Sequence, residues 1–103
     1  MAGSLNYVFK NAGAGDEVKQ LIGHRCKLMS IKLHNSDAVA QTVHLYDDTS
    51  DADDNLFATI VVAANSTLDL DYHGAMLGIG LYLKATATTG RTVGQLIVSA
   101  QAR

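Results

Sequence analysis

From Cys26 onward, apolar side chains fall at every second position in short runs, and turn-forming residues end each run. A period of two sends alternate side chains to opposite faces of an extended chain, so each run buries one face and wets the other. Such runs, broken at short intervals by Asn, Asp, Ser and Gly, specify an all-β domain. The pattern says nothing about chemistry. Read alone, it stops at a small β domain that acts as an interaction module.

The segments can be placed in order. Leu5, Tyr7 and Phe9 alternate with Asn6, Val8 and Lys10 as an N-terminal strand, and the run from Asn11 to Gly15 is a turn or linker. Glu17 to Ile22 reads as a strand or as one helical turn, with its length favouring the strand. Cys26 to His34 has Met29, Ile31 and Leu33 on one face and Ser30, Lys32 and His34 on the other. Thr42 to Asp47 returns with Val43 and Leu45 inward and Thr42, His44 and Tyr46 outward. Pairing these two runs about Val39 sets Leu33 opposite Leu45, His34 opposite His44 and Lys32 opposite Tyr46, which satisfies both faces of a hairpin.

Two further hairpins are expected by the same reasoning. Leu56 to Ala63 and Thr67 to Tyr72 turn on Asn65, a residue that tolerates the left-handed conformation, and pair Ile60 with Leu70, Val62 with Leu68 and Ala58 with Tyr72. His73 to Gly80 is a glycine-containing crossover. Leu81 to Thr88 and Thr92 to Ser99 then pair about Thr89-Gly90, with Leu83 against Leu96, Leu81 against Val98, Tyr82 against Ile97, Thr86 against Val93 and Lys84 against Gln95. Both faces of this last hairpin are partly apolar, so one serves the core and the other a partner. The expected fold is an antiparallel β-sandwich, jelly-roll-like, of about eight short strands, forming a single domain over residues 1–103.

Composition narrows the function. Charged residues are 17% of the chain against 48% apolar, and the net charge is -2. That balance argues against disorder and against a nucleic-acid partner, because phosphate binding calls for a basic stripe. No apolar run approaches the length of a membrane span, and no basic segment leads into an apolar one at the start, so neither a membrane partner nor a signal peptide is expected. Cys26 is the only cysteine, which excludes an internal disulfide and a multi-cysteine zinc site. Without disulfides, the chain suits a reducing compartment or an assembly whose contacts replace them. Proline is absent altogether, which removes one common guard on exposed strand edges.

Candidate chemistry is sparse. Asp51, Asp53 and Asn55 match the opening spacing of a calcium loop, but Leu56 stands where the turn needs Gly and Val62 where a closing Glu belongs. The segment from Asp47 to Asn55 reads better as a solvated acidic turn, with Asp47, Asp48 and Asp51 as candidate ligands of a weak cation site. His34 and His44 become cross-strand neighbours in the expected register, yet no third ligand joins them. Arg25 and Lys27 flank Cys26 and would lower its pKa, although a cysteine opening a strand is more often a small core residue. Gly78-Ile-Gly80 has no helix after it, so it is no phosphate loop. No nucleophile has a partner on a recognisable catalytic element. We therefore expect no enzyme, no metal and no cofactor.

A resemblance adds to this. His44-Leu-Tyr-Asp47, the turn Val62-Ala-Ala-Asn-Ser66, Leu68-Asp-Leu-Asp-Tyr72, and Gly80-Leu-Tyr-Leu-Lys-Ala-Thr86 followed by Thr88-Thr-Gly90 resemble the strands and turns of small virion proteins of tailed bacteriophages. The likeness spans residues 43–99, and Ala63 replaces the proline usual before the Ala-Asn turn. It implies a cement or decoration protein on the outer face of the capsid, made in the host bacterial cytoplasm. Its partners would be the major capsid protein and further copies of itself, with a trimer favoured. Other virion parts (a head-fibre, tail-fibre or connector component) are the alternative, and a calcium- or sugar-binding β module is a second. Leu5, Tyr7 and Phe9 are the first candidate intersubunit residues, and Tyr82, Val93 and Ile97 the second.

Overall fold

A computed structural model describes residues 3–9, 16–36, 38–50, 53–87 and 96–103. Eight strands follow in order: β1 (Gly3–Phe9), β2 (Asp16–Ile22), β3 (Cys26–Asn35), β4 (Gln41–Tyr46), β5 (Leu56–Val62), β6 (Ser66–Leu77), β7 (Leu81–Ala87) and β8 (Leu96–Ala102). A 3-10 turn at Asp53–Asn55 precedes β5. The strands form two four-stranded antiparallel sheets, β1-β8-β3-β6 and β2-β7-β4-β5. This is a jelly-roll sandwich, and it agrees with the fold class read from the alternation.

The strand pairing differs from expectation throughout. Only β4 and β5 are both consecutive and paired, and every other connection crosses from one sheet to the other. Leu33 lies beside Leu68 and Val98, while Leu45 lies beside Ala58 and Leu83. Ile60 pairs with Val43 instead of Leu70, and Leu83 pairs with Lys19 and Leu45 instead of Leu96. The reason is physical. A period-two strand offers the same apolar face to a neighbour beside it and to a strand across the core, so local register arithmetic cannot tell hydrogen-bonded partners from facing ones. Three residues, 23–25, suffice for one crossing, since an extended residue spans about 3.3 Å and packed sheets lie about 10 Å apart.

The space between the sheets is filled by side chains with no solvent exposure. Leu28, Leu33, Leu96, Val98 and Ala100 come from the first sheet, and Val43, Leu45, Leu81, Leu83 and Ala85 from the second. Met29 departs from the expected inward row. The β3–β6 register shifts between Leu28 and Ser30, which sends Leu28 into the core and leaves Met29 half-buried. On β6 the same irregularity passes through His73 (φ 54°) and Gly74 (φ 80°). Beyond it β6 runs on to Leu77, so the expected crossover contracts to residues 78–80. Asn65 takes the left-handed conformation (φ 52°) as expected, but its turn changes sheets.

Among the described residues two side-chain amides are fully buried, with opposite consequences. Asn35 donates to the carbonyls of Val39 (2.9 Å), Val62 (3.1 Å) and Ala63 (3.2 Å), tying together the loops at one end of the sandwich. Among the described residues, neither the amide nitrogen nor the oxygen of Gln41 has a hydrogen-bond partner. A buried polar atom without a partner keeps its desolvation cost uncompensated. Gln41→Met, which keeps the shape and removes both polar atoms, is expected to raise stability by about 1 kcal/mol. Asn35→Leu strands the buried Val62 carbonyl and is expected to lower it by about 2 kcal/mol. Urea unfolding of the two variants beside the wild type checks the opposite signs.

Candidate functional site

The acidic segment forms the β4–β5 connection, closed by the Asp47 N–H donating to the Asn55 carbonyl at 3.0 Å. Its first carboxylate is an acceptor for backbone. Asp47 receives the N–H groups of Gly78 (2.9 Å), Ile79 (2.8 Å) and Gly80 (3.2 Å) and so staples this connection to the one after β6. Partial burial pushes its pKa up, but the three N–H donors outweigh that and hold it below the ordinary carboxylate value. Asp48 accepts from the Thr49 N–H (2.6 Å) and from Asn55 Nδ2 (2.9 Å), and these bonds likewise lower its pKa. The staple needs a close approach at Gly80, where an added Cβ would collide with the Ile22 carbonyl oxygen. The Gln20 amide donates to that same carbonyl, bringing the end of β2 into the cluster.

These contacts change the reading of the loop. Asp47 and Asp48 face N–H donors, an environment built for carboxylates held by the chain itself. Asp51 lies outside the described residues. Among the described residues no three His, Cys, Asp or Glu side chains gather as a metal site.

The histidine pair dissolves with the expected hairpin. His34 belongs to the first sheet, where its Nδ1 lies 2.7 Å from Thr67 Oγ1, and His44 belongs to the second, 3.3 Å from Thr59 Oγ1. Cys26 is buried (4% exposed), and burial followed by the nearby Asp47 charge pushes its thiol pKa up, against the lowering expected from Arg25 and Lys27. Those two cations are exposed beside it. A buried, protonated thiol is a poor nucleophile.

The expected interface residues separate. Leu5, Tyr7 and Phe9 lie on β1, an edge strand, in register with Ala100, Val98 and Leu96. Tyr82 is on the outer face of the second sheet, edge-to-face with Tyr46 at 6.2 Å between ring centroids. Tyr46 points outward as expected but is only 1% exposed. Ile97 is half-buried in the first sheet, opposite Val8 and His34, so it shares no face with Tyr82. Val93 lies outside the described residues.

One feature escaped the sequence reading. Asn6, Ser30, Lys32, Asp69, Asp71 and Ser99, from four neighbouring strands, line a polar depression of 690 Å³ on the outer face of the first sheet. Ser99 donates to Asn6 Oδ1 at 2.6 Å, and Lys32 Nζ lies 3.9 Å from Asp69 Oδ1. Alternation marks each as outward, but only the strand order brings them together. A second hollow of 490 Å³ at the loop end is lined by Arg25, Cys26, Lys27, Met76 and Arg103.

The sequence matches no protein-family model and none of the curated proteins. Solved structures share the fold at low identity. A crystal structure of PirA aligns with 94% of this chain and 92% of its own at 12% identity and a TM-score of 0.62. A chain of the capsid asymmetric unit of cyanophage Pam1 aligns over 99% of this chain and 82% of its own, at 13% identity and a TM-score of 0.57. A fucose-binding module of Streptococcus pneumoniae aligns over 92% and 68%, at 20% identity and a TM-score of 0.54.

Two measurements follow from this site. Folding lowers the pKa of Asp47, so its carboxylate favours the folded state fully above the unfolded value of about 4. That contribution is lost as pH falls through the lowered folded value. Asp47→Asn is expected to cost about 1–2 kcal/mol at neutral pH. The gap between variant and wild type should close in acid, which thermal unfolding across the pH range checks. Cys26 is expected to react with a thiol reagent only under unfolding conditions, read by absorbance with and without denaturant.

Proposed function

We propose that this chain is a structural virion protein, a cement or decoration protein that binds the outer face of an assembled phage capsid as an oligomer. The observation that carries the reading is the run of virion-like segments from His44 to Gly90, set on an all-β sandwich. The likeness to a chain of the Pam1 capsid over nearly the whole length supports it. On this reading the chain is no enzyme and holds no cofactor. Its partners are the major capsid protein and its own copies, and its place is the virion surface. Its mechanism is linkage: a protein that binds only the assembled shell stabilises that shell by mass action, and an oligomer touching several shell subunits gains avidity from weak contacts.

A second reading is a sugar-binding module. The polar depression on the first sheet offers hydroxyl, amide, carboxylate and ammonium groups suited to a polyol, and the likeness to the fucose-binding module supports it.

Gradient sedimentation of the native source material, with mass spectrometry of each fraction, tests the first reading. The chain is expected to travel with large particles, in many copies, beside a major shell protein. Recovery only at the top of the gradient overturns the reading, and a few copies per particle point to a fibre or connector. Titration with fucose and other monosaccharides, followed by chemical-shift changes at Ser30 and Asp71, tests the second.

A further inference from the structure

Among the described residues the sandwich has four edge strands: β1 and β6 in the first sheet, β2 and β5 in the second. Free edges present unpaired N–H and C=O groups, and proteins guard them with charges, proline or distorted backbone. Two of these edges are guarded. β2 carries Asp16, Glu17 and Lys19, while β6 carries Asp69 and Asp71 and bends through the left-handed His73 and Gly74. The other two are not. β1 (GSLNYVF) and β5 (LFATIVV) contain neither a charged residue nor a proline. β5 also exposes apolar side chains, with Val61 at 62%, Phe57 at 39% and Leu56 at 37%.

The arrangement of the unguarded edges is what decides the partner. β1 packs beside β2 and β5 beside β6, so each side of the sandwich has one open edge and one guarded edge, and the open edges are diagonal. We propose that β5 of one copy pairs with β1 of a second copy, head to tail, extending the second sheet of one into the first sheet of the next. Self-pairing of β5 would bring two β6 strands together, setting Asp69 and Asp71 against their own copies. Head-to-tail pairing instead sets β6 beside β2, which carries both signs of charge. A heterologous contact leaves one open edge at each end and closes only as a ring of three or more protomers. The inference rests on the self-association in the reading above and not on the capsid.

Complementation of two blocked edges tests it. Val61→Lys puts a charge on the β5 edge and Asn6→Lys puts one on the β1 edge, both at exposed positions. Melting curves confirm that each variant is folded. Sedimentation velocity should find the wild type at three protomers or more and each variant alone as a monomer. An equimolar mixture of the two should form a dimer and nothing larger, because each variant keeps the edge that the other has lost. Gln101→Lys, at an exposed position on β8 inside the first sheet, should assemble as the wild type does. A monomeric wild type at every concentration, or an Asn6→Lys protein that assembles normally, overturns the proposal. A monomer that still travels with shells overturns this inference alone, and a ring that ignores shells overturns the capsid reading alone.

Discussion

Everything in this molecule depends on one shared layer of side chains between two sheets. Strands of both sheets give alternate residues to that layer, and the central ones, such as Leu33, Val98, Leu45 and Leu83, are sealed completely. Burying each large aliphatic side chain is worth about 1.5–3 kcal/mol, so a slip of one residue would forfeit a strand's whole contribution. Register is therefore fixed by the core, and with it the identity of every outward residue. Lys32, Asp69 and Ser99 meet on one outer face because Ile31, Leu70 and Val98 are held on the inner side.

The loops at the two ends are fixed by polar side chains. At one end the Asn35 amide gathers the carbonyls of Val39, Ala63 and the last residue of β5, and at the other the Asp47 carboxylate gathers three N–H groups from a neighbouring connection. The two clamps are complementary in chemistry, a donor for orphan acceptors and an acceptor for orphan donors. They also explain why the acidic connection resembles a cation loop in sequence. Asp and Asn are the residues that satisfy stray backbone groups in turns, and the same residues ligate calcium. The neighbours decide between the two uses, and here Gly78, Ile79 and Gly80 supply the donors.

What the sequence discloses and what it hides divide along a clear line. Local properties are legible: the alternation of β3 and β4, the strand choice for β2, and the left-handed turn at Asn65. Pairing is not, because Leu33 and Leu45 satisfy the same pattern whether they sit side by side or face each other across the core. The His34–His44 pair fell with that ambiguity, and so did the grouping of Tyr82 with Ile97. Irregularities were equally hidden. Nothing in the run Cys26–His34 marks the shift at Met29, which is matched on another strand by the left-handed His73 and Gly74. The need for glycine at position 80 comes from the Ile22 carbonyl, a contact 58 residues away in the chain.

Charge placement links the edges to the low charge of the chain. A jelly roll closes neither sheet, so four edges remain whatever the sequence. With charged residues at only 17% of the chain and no proline, the guards available are few, and where they stand is informative. They stand on β2 and β6. β5 meets two demands through one alternation: Ile60 and Val62 are buried in the core, while Thr59 and Val61 stay outside on the same strand. An outward Lys at either outer position would guard the edge without touching the core. Period two thus leaves the edge chemistry free of the core, and on β5 that freedom is filled with Thr and Val. Stability does not require apolar residues there, so the core gives no reason for β5 to be left unguarded.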